Sequence, residues 1–312
     1  MRLYGKIGDQ IFVWILVILG LGVLGAALLT GGVLLFGGLE SFRTFGFLGF
    51  LADSGWNPVR GHFGAWPFIL GTLITSFAAL ALAFFPALAT AIFAVEYAPR
   101  WASAIIGYFV DLLAALPSVV YGLWGILVLV PLLRDNFEVP VFLWAAQNAP
   151  WLASFLGSPT GIGLLSSILV LALMIVPFAA SLARDAIAVV PREQREAAYA
   201  LGATHWEVIR MAVIPYARGG IFAGVILALA RALGETMAVT MLIGNSHNLP
   251  YSIFGPAATM ASVVANEFAE ATLSLHYSSL LAIGFVLFVL SLLVNLLAAW
   301  VLRRMTLAGT RI

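Results

Sequence analysis

Hydrophobic residues occur along the chain in long, almost uncharged runs that are separated by shorter polar segments. A bilayer has a hydrocarbon core about 30 Å thick, which a helix of about 20 apolar residues crosses. Helix is required because lipid offers the backbone polar groups no other partner. The pattern therefore predicts an all-α integral membrane protein with six transmembrane helices, at about 11–36, 66–95, 102–133, 161–183, 219–243 and 277–302.

Three of these runs contain a proline, at Pro86, Pro117 and Pro177. Proline lacks a backbone N–H and bends a helix, so we expect kinks at these points. The polar segments between the runs are too short for a folded domain, which usually needs at least about 50 residues. Residues 1–312 are therefore predicted to form a single transmembrane domain.

Composition narrows the class of protein further. The 312 residues are 62% hydrophobic and only 9% charged, whereas soluble domains carry about 25% charged residues. The net charge of +1 gives no basic surface of the kind that nucleic-acid binding needs, so no nucleic-acid partner is expected. Cysteine is absent and the four histidines have no ligand spacing, so no metal site is expected.

Lysine and arginine are distributed unevenly between the two sets of loops. Three lie in one set, at Arg43, Arg60 and Arg134. Eleven lie on the side of the two termini: Arg2, Lys6, Arg100, Arg184, Arg192, Arg195, Arg210, Arg218, Arg303, Arg304 and Arg311. Because cytoplasmic loops carry the excess of positive charge, both termini are predicted to be cytoplasmic in a multi-pass membrane protein.

The longest connection on the cytoplasmic side has the signals of a helical hairpin at 191–215. Pro191 suits the first turn of a helix, and Gly202 suits a left-handed stop. Thr204 and Glu207 have the spacing of a capping box for a second short helix, which Pro215 is predicted to end. From these signals alone, an interfacial loop without a function remains an alternative.

The spacing of particular residues in this hairpin resembles a family signature. Glu196-Ala197-Ala198, then Gly202, then Pro215 is similar to the EAA motif of ABC importer permeases, with Ala212 and Ile214 where isoleucine and leucine are usual. In that family the motif forms coupling helices that dock on a cytoplasmic ATPase. The resemblance implies a type I importer permease fold and an ATPase-coupling role for Glu196, Ala197, Ala198, Gly202 and Pro215.

ATP hydrolysis is not expected from the chain itself. A phosphate-binding loop of the type G-x-x-x-x-G-K-[ST] needs a lysine after glycine. The only lysine, Lys6, stands in Gly5-Lys6-Ile7, which does not continue with serine or threonine. We therefore expect no enzyme and no cofactor in this chain, and ATP in a partner ATPase.

Three ionisable residues fall within the predicted spans, namely Asp111, Arg231 and Glu235. Charges within a membrane are costly and usually face protein or a water-filled cavity. At helical spacing, Arg231 and Glu235 share an arc with a stripe of small residues, Gly220, Gly224, Ala228 and Ala232. Either the charges join helices by pairing with one another, or Arg231 attracts an anion on a translocation path and Glu235 orients it or closes the gate.

A second resemblance concerns the same segment. Ala230-Arg231-Ala232-Leu233-Gly234-Glu235-Thr236-Met237-Ala238-Val239, followed by Gly244-Asn245, is similar to the C-type permease of phosphate ABC transporters, as is the segment 116–125. The resemblance implies an importer of inorganic phosphate in the bacterial inner membrane. Its implied partners are a second, A-type permease, a cytoplasmic ATPase dimer and a periplasmic phosphate-binding protein.

Three alternatives stay open at this point. The first is an ABC permease for another oxyanion, sulfate or molybdate, which would share the hairpin but not the substrate. The second is an ion-gradient-driven transporter that uses Asp111, Arg231 and Glu235 as a proton relay. The third is a structural membrane subunit that has no translocation path of its own.

Overall fold

The protein is described by a computed structural model, which defines the backbone of residues 2–309 and the side chains of residues 8–303. Helix accounts for 79% of the chain. The only strands among the described residues are β1 (Trp56–Asn57) and β2 (His62–Phe63), which pair antiparallel in a short hairpin. The predicted all-α membrane architecture is confirmed.

The described helices follow one another in short and long segments. In chain order they are α1 (Arg2–Gly37), α2 (Leu39–Phe45), α3 (Phe47–Ala52), α4 (Trp66–Ile92), α5 (Arg100–Ala114), α6 (Ser118–Trp124), α7 (Val130–Leu133), α8 (Val139–Asn148), α9 (Pro150–Leu156), α10 (Leu164–Ala188), α11 (Arg192–Ala200), α12 (His205–Val208), α13 (Ile214–Leu233), α14 (Met237–Leu242), α15 (Met260–Glu267) and α16 (Ser274–Gly309). Four π-helical turns complete the described helical structure, at Phe93–Tyr97, Gly125–Leu129, Arg134–Glu138 and Ile209–Val213.

Five helices among the described residues are long and apolar enough to cross a membrane, and a sixth span is broken. The prediction of one continuous helix at 102–133 is wrong: α5 ends at Ala114, and the chain turns by 90° before Ser118–Asn148. The residue before proline avoids helical geometry, so Pro117 ends the helix rather than kinking it. The Tyr121 hydroxyl donates to the Leu113 carbonyl at 2.8 Å, which satisfies one group freed by the break.

The fifth span also differs from the prediction of 219–243. The helix runs without interruption through His205–Leu233, breaks at 234–236 and resumes as α14. Pro215 therefore does not end the second hairpin helix. The π-helical turn Ile209–Val213 ends two residues before Pro215, and such a turn shifts the backbone hydrogen bonds so that a missing N–H is tolerated.

The remaining spans extend beyond their predicted ends. Helix α10 continues to Ala188, so Arg184 lies within a membrane helix and not in the cytoplasmic loop. Pro86 and Pro177 lie inside α4 and α10, and neither proline ends its helix.

Helix α10 forms the centre of the bundle, packed against α4, α5 and α13. The predicted stripe of small residues on α13 lies at this contact. A Cβ atom added to Gly220 would lie 2.5 Å from Cβ of Ala186, and one added to Gly224 would lie 2.9 Å from Cβ of Leu182. The expected close helix approach is confirmed.

The segments between the spans collect at the two ends of the bundle. At one end, which we call the hairpin end, α11 and α12 lie against the final turns of α4 and α10. At the other, which we call the opposite end, β1 and β2 pack with the start of α4, with α15 and with α16 in a second apolar cluster. The predicted division of the loops into two sets therefore agrees with the fold.

Candidate functional site

The hairpin has the local geometry that its sequence predicts. Helix α11 is followed by Gly202 in the left-handed region at φ +84°, where a residue with a side chain would be strained. The Thr204 N–H donates to Glu207 Oε2 at 2.8 Å, and the Thr204 hydroxyl donates to the same oxygen at 2.8 Å. Glu207 thus fixes the start of the second helix, as the capping box predicts.

The five residues of the EAA motif differ in exposure. Glu196, Ala197, Gly202 and Pro215 are exposed, whereas Ala198 is partly buried against the apolar cluster beneath the hairpin. The structure brings Glu196 to Gly202 together in one helix and its turn, and Pro215 lies further along, at the start of α13. The motif therefore presents an open surface to a partner, while its assignment to ATPase coupling remains a prediction.

One residue at this tip was not selected by sequence reasoning. Leu201 follows α11 directly, and 90% of it is exposed, next to the turn at Gly202. An exposed leucine costs little in the free chain, and it buries apolar surface when a partner covers it. The feature of the sequence that could have identified Leu201 is a large apolar residue between the end of the predicted helix and Gly202.

Arg231 lies near the end of α13 and is half-buried. Its Nη1 donates to the carbonyl oxygen of Ala114 at 3.3 Å, and its guanidinium carbon lies 5.3 Å from the centre of the Phe178 ring. Among the described side chains, no carboxylate lies within ion-pair distance of Arg231. The pairing with Glu235 or Asp111 is therefore wrong for this conformation, and the Arg231 guanidinium lies beside the break after α5.

Glu235 lies in the break between α13 and α14. Its Oε1 accepts the N–H of Ala238 at 3.2 Å, so the carboxylate caps the first turn of α14. A negative charge is favourable at a helix N-terminus, which explains how Glu235 is held without a basic partner. The break itself was not predicted, because the apolar run continues through it.

Asp111 contacts different residues from those that contact Arg231 and Glu235. Its side chain is exposed; Oδ2 lies 3.3 Å from Nη2 of Arg184, and Oδ1 accepts the Ser181 hydroxyl at 2.7 Å. The three charged residues thus have three separate sets of partners, and these do not connect one charge with the next. This arrangement does not favour a proton relay along Asp111, Arg231 and Glu235.

At the opposite end, Glu267 is the centre of a largely buried polar cluster. Only 13% of its side chain is exposed, and the carboxylate contacts Nε2 of His247 at 2.6 Å, Nε2 of His276 at 2.8 Å and Nε1 of Trp56 at 2.9 Å. Burial raises the pKa of Glu267, but these three hydrogen bonds outweigh burial and hold the pKa below its usual value of 4.5. No pattern along the chain predicts this cluster, because its members come from four separate segments.

The Glu267 cluster borders a cavity with a volume of 630 Å³. Its rim also carries the side chains of Asn245, Asn266, Glu270 and Thr272. Its polar rim opens at the end of the bundle that lies away from the hairpin.

Comparison with known proteins places the chain among membrane permeases. The family model described as "Binding-protein-dependent transport system inner membrane component" matches residues 87–307. The phosphate transport system permease protein PstC of Pasteurella multocida is 45% identical over 269 residues, covering 86% of this chain and 83% of the relative. That of Mesorhizobium japonicum is 46% identical over 280 residues, covering 88% and 85%.

A more distant relative and a solved structure agree with this placement. The probable phosphate transport system permease protein PstC of Methanocaldococcus jannaschii is 39% identical over 249 residues, covering 79% of this chain and 78% of the relative. A chain of the MetNI methionine ABC transporter, in an inward-facing conformation, superposes with a TM-score of 0.53 at 18% identity. It covers 79% of this chain and 95% of its own length, which supports the fold alone. The chain therefore belongs to the family of binding-protein-dependent transport system inner membrane components.

Proposed function

We propose that this chain is the C-type permease subunit of an ATP-driven importer of inorganic phosphate. The observation that carries the proposal is its identity of 45% and 46% to permeases named for phosphate transport, over 86% and 88% of the chain. No relative among the similar proteins described above is named for sulfate or molybdate. A permease for another oxyanion is therefore not favoured.

Arg231 is the proposed contact for phosphate. A guanidinium offers donors in a planar fork that matches two oxygens of a phosphate group. Arg231 is held by a neutral carbonyl and an aromatic ring, so its charge is not cancelled by a carboxylate. Phosphate would take the place of the weak 3.3 Å contact to the Ala114 carbonyl.

The two helix breaks support a path at this level of the membrane. Interrupted helices within a membrane are tolerated where they border protein or a water-filled cavity, and transporters place binding sites there. Arg231 contacts the carbonyl of Ala114 beside the first break, and it lies three residues before the second break at 234–236. Glu235 is proposed to hold the second break in a fixed conformation, since it caps α14. Asp111 is proposed to position α5 beside the path through its ion pair with Arg184.

The hairpin is proposed to receive a cytoplasmic ATPase dimer, which binds and hydrolyses the ATP. The exposed Leu201 would supply an apolar anchor, and the exposed Glu196 a charged contact. The A-type permease would complete the path, and a periplasmic phosphate-binding protein would deliver phosphate at the opposite end. Membrane lipid would surround the remaining apolar helix faces.

This assignment puts the hairpin end and both termini in the cytoplasm of a cell with a bacterial inner membrane. Arg100, Arg192, Arg195 and Arg210 at the hairpin end agree with the positive-inside rule. Four further residues of the same set, Arg2, Lys6, Arg304 and Arg311, lie outside the residues whose side chains are described.

Uptake measurements in a strain that lacks its own phosphate importer test the proposal. Cells that express the chain with its partner subunits should accumulate labelled phosphate but not sulfate or molybdate. Uptake should survive collapse of the proton gradient as long as ATP is maintained. Preferential uptake of sulfate or molybdate would overturn the substrate assignment, and uptake without the ATPase subunit would overturn the energy source.

Two substitutions test the hairpin separately from the substrate. Glu196→Lys reverses an exposed charge, and Gly202→Pro replaces a residue at φ +84° by one fixed near −65°. Both variants should abolish uptake while the chain remains in the membrane at normal levels. Wild-type uptake in both would refute the coupling role.

A further inference from the structure

The hairpin is joined to the membrane helices by an ion pair that the EAA motif does not include. Arg195 lies on α11, and its Nη2 is 2.7 Å from Oε1 of Glu96, in the π-helical turn that follows α4. Nε of Arg195 donates to the same oxygen at 3.2 Å. The Arg195 and Glu96 side chains are only 18% and 7% exposed, so the pair is shielded from water and salt.

The same guanidinium also contacts the end of a second membrane helix. Arg195 donates through Nη2 to the carbonyl of Ile187 at 3.2 Å and through Nη1 to the carbonyl of Val190. These carbonyls lie at the C-terminal end of α10, where a helix has unpaired acceptors and favours a cation. One side chain therefore connects the hairpin with both α4 and α10.

The other contacts beneath the hairpin are of a different kind. Most are apolar, contributed by Ala91, Ile92, Ala183, Ile187, Val190, Val208, Ile209 and Val213, with Ala198 and Ala203 packed on their edge. The rings of Tyr97 and His205 add one aromatic contact, with centroids 4.8 Å apart. Apolar contact is not directional, so such a surface holds α11 against α4 and α10 without fixing its angle to them. A charge-assisted, multiply bonded arginine does fix an angle.

We infer that the Glu96–Arg195 pair is the rigid connection through which movement of the hairpin is passed to α4 and α10. The inference rests on the proposed function, because it requires an ATPase that moves the hairpin. Both are positioning residues, since they lie beneath the exposed tip and not on it. Without the pair, an ATPase docks at Leu201 and Glu196 as before, and its movement still reaches α13, which continues from the second hairpin helix. Helix α11 then slides on its apolar base, and the movement is not passed to α4 and α10.

The test uses the complete importer in proteoliposomes, with the second permease, the ATPase and the binding protein. Labelled phosphate uptake and ATP hydrolysis are measured together, and the ATPase that purifies with the permeases is quantified. Glu96→Gln and Arg195→Gln should each lower the phosphate transported per ATP at least tenfold while the ATPase still purifies at the wild-type ratio. A purely structural role would lower uptake and hydrolysis together.

A double neutral variant guards against simple misfolding, because removing only one partner leaves a buried charge unpaired. Glu96→Gln/Arg195→Gln should purify with the wild-type ratio of ATPase and still transport at least tenfold less phosphate per ATP. Arg100→Gln, which removes an exposed arginine at the same end, is the matched control and should keep the wild-type ratio.

Each other outcome counts against a specific claim. Transport per ATP within twofold of wild type in both single variants overturns the connecting role. Loss of the ATPase in the single variants, without recovery in the double neutral variant, means that the pair only builds the hairpin, which also overturns the connecting role. A wild-type complex that retains no ATPase overturns the proposed function, and the inference falls with it.

Discussion

Substitution of Leu201 by alanine should weaken binding of the ATPase without changing the permease itself. Leu201 is 90% exposed in the free chain, so almost its whole side chain is available for burial by a partner. Complete burial of a leucine is worth roughly 1.5–3 kcal/mol, of which alanine retains only the first carbon. The expected loss is about 2 kcal/mol, which corresponds to an increase of about 30-fold in Kd.

The assay is a titration of the detergent-solubilised permease pair with labelled ATPase subunit. Val59→Ala is the matched control, because Val59 is 94% exposed but lies between β1 and β2 at the opposite end. Thermal melting of both variants should stay close to wild type, since exposed substitutions usually change stability by less than about 0.5 kcal/mol. A Kd for Leu201→Ala within threefold of wild type would refute the anchor role. An equal loss of affinity for the ATPase in Val59→Ala would refute it as well.

Three further predictions concern the path, the packing and the opposite end. Arg231→Gln should lower phosphate uptake at least tenfold while ATPase binding stays normal, since it removes the proposed anion contact. Asp111→Asn should lower uptake less in the same assay, because Asp111 pairs with Arg184. Gly220→Ala should lower Tm in detergent, because overpacking against Ala186 costs roughly 1–3 kcal/mol. Glu267→Gln should destabilise the protein near neutral pH, as read from thermal melting against pH. Because the folded pKa of Glu267 lies below its usual value, the stabilisation is present above about pH 4.5 and is lost as pH falls through the folded pKa.

Each of these predictions has a result that contradicts it. Full uptake in Arg231→Gln would point to a structural subunit without its own path. Gly219→Ala is the control for Gly220, since no atom of another described helix lies within 4 Å of the added Cβ. An equal fall of Tm in both variants would show that packing against Ala186 is not the cause. For Glu267→Gln, a melting temperature that falls in acid as steeply as that of the wild type would mean that another group causes the pH dependence.

The membrane class and most of the spans were predictable because the hydrophobic effect acts on every residue of a long apolar run. The hairpin was predictable for a local reason: Gly202 and the spacing of Thr204 and Glu207 each specify backbone geometry within a few residues. Where the prediction erred, the apolar pattern was uninformative. A run such as 102–133 has the same hydropathy whether its helix crosses straight or turns by 90° at Pro117.

The candidate site was less predictable because its contacts join distant segments. Helical spacing correctly placed Gly220 and Gly224 at a close helix contact, since neighbours on one helix face are fixed by the sequence. The partners of Arg231 were not predictable, because Ala114 and Phe178 come from other helices. The Glu96–Arg195 pair joins residues 99 positions apart, and only the fold brings them together.

The most direct test of the central claim, that a separate ATPase drives this permease through its hairpin, is site-specific crosslinking. The chain contains no cysteine, so Ala197→Cys introduces one reactive thiol at the exposed surface of α11. In native membranes that hold the assembled importer, this thiol should form a crosslink to the ATPase subunit whose yield changes when ATP is added, whereas Val59→Cys should form none. Absence of any crosslink between Ala197→Cys and the ATPase, in membranes that still take up phosphate, would contradict the account.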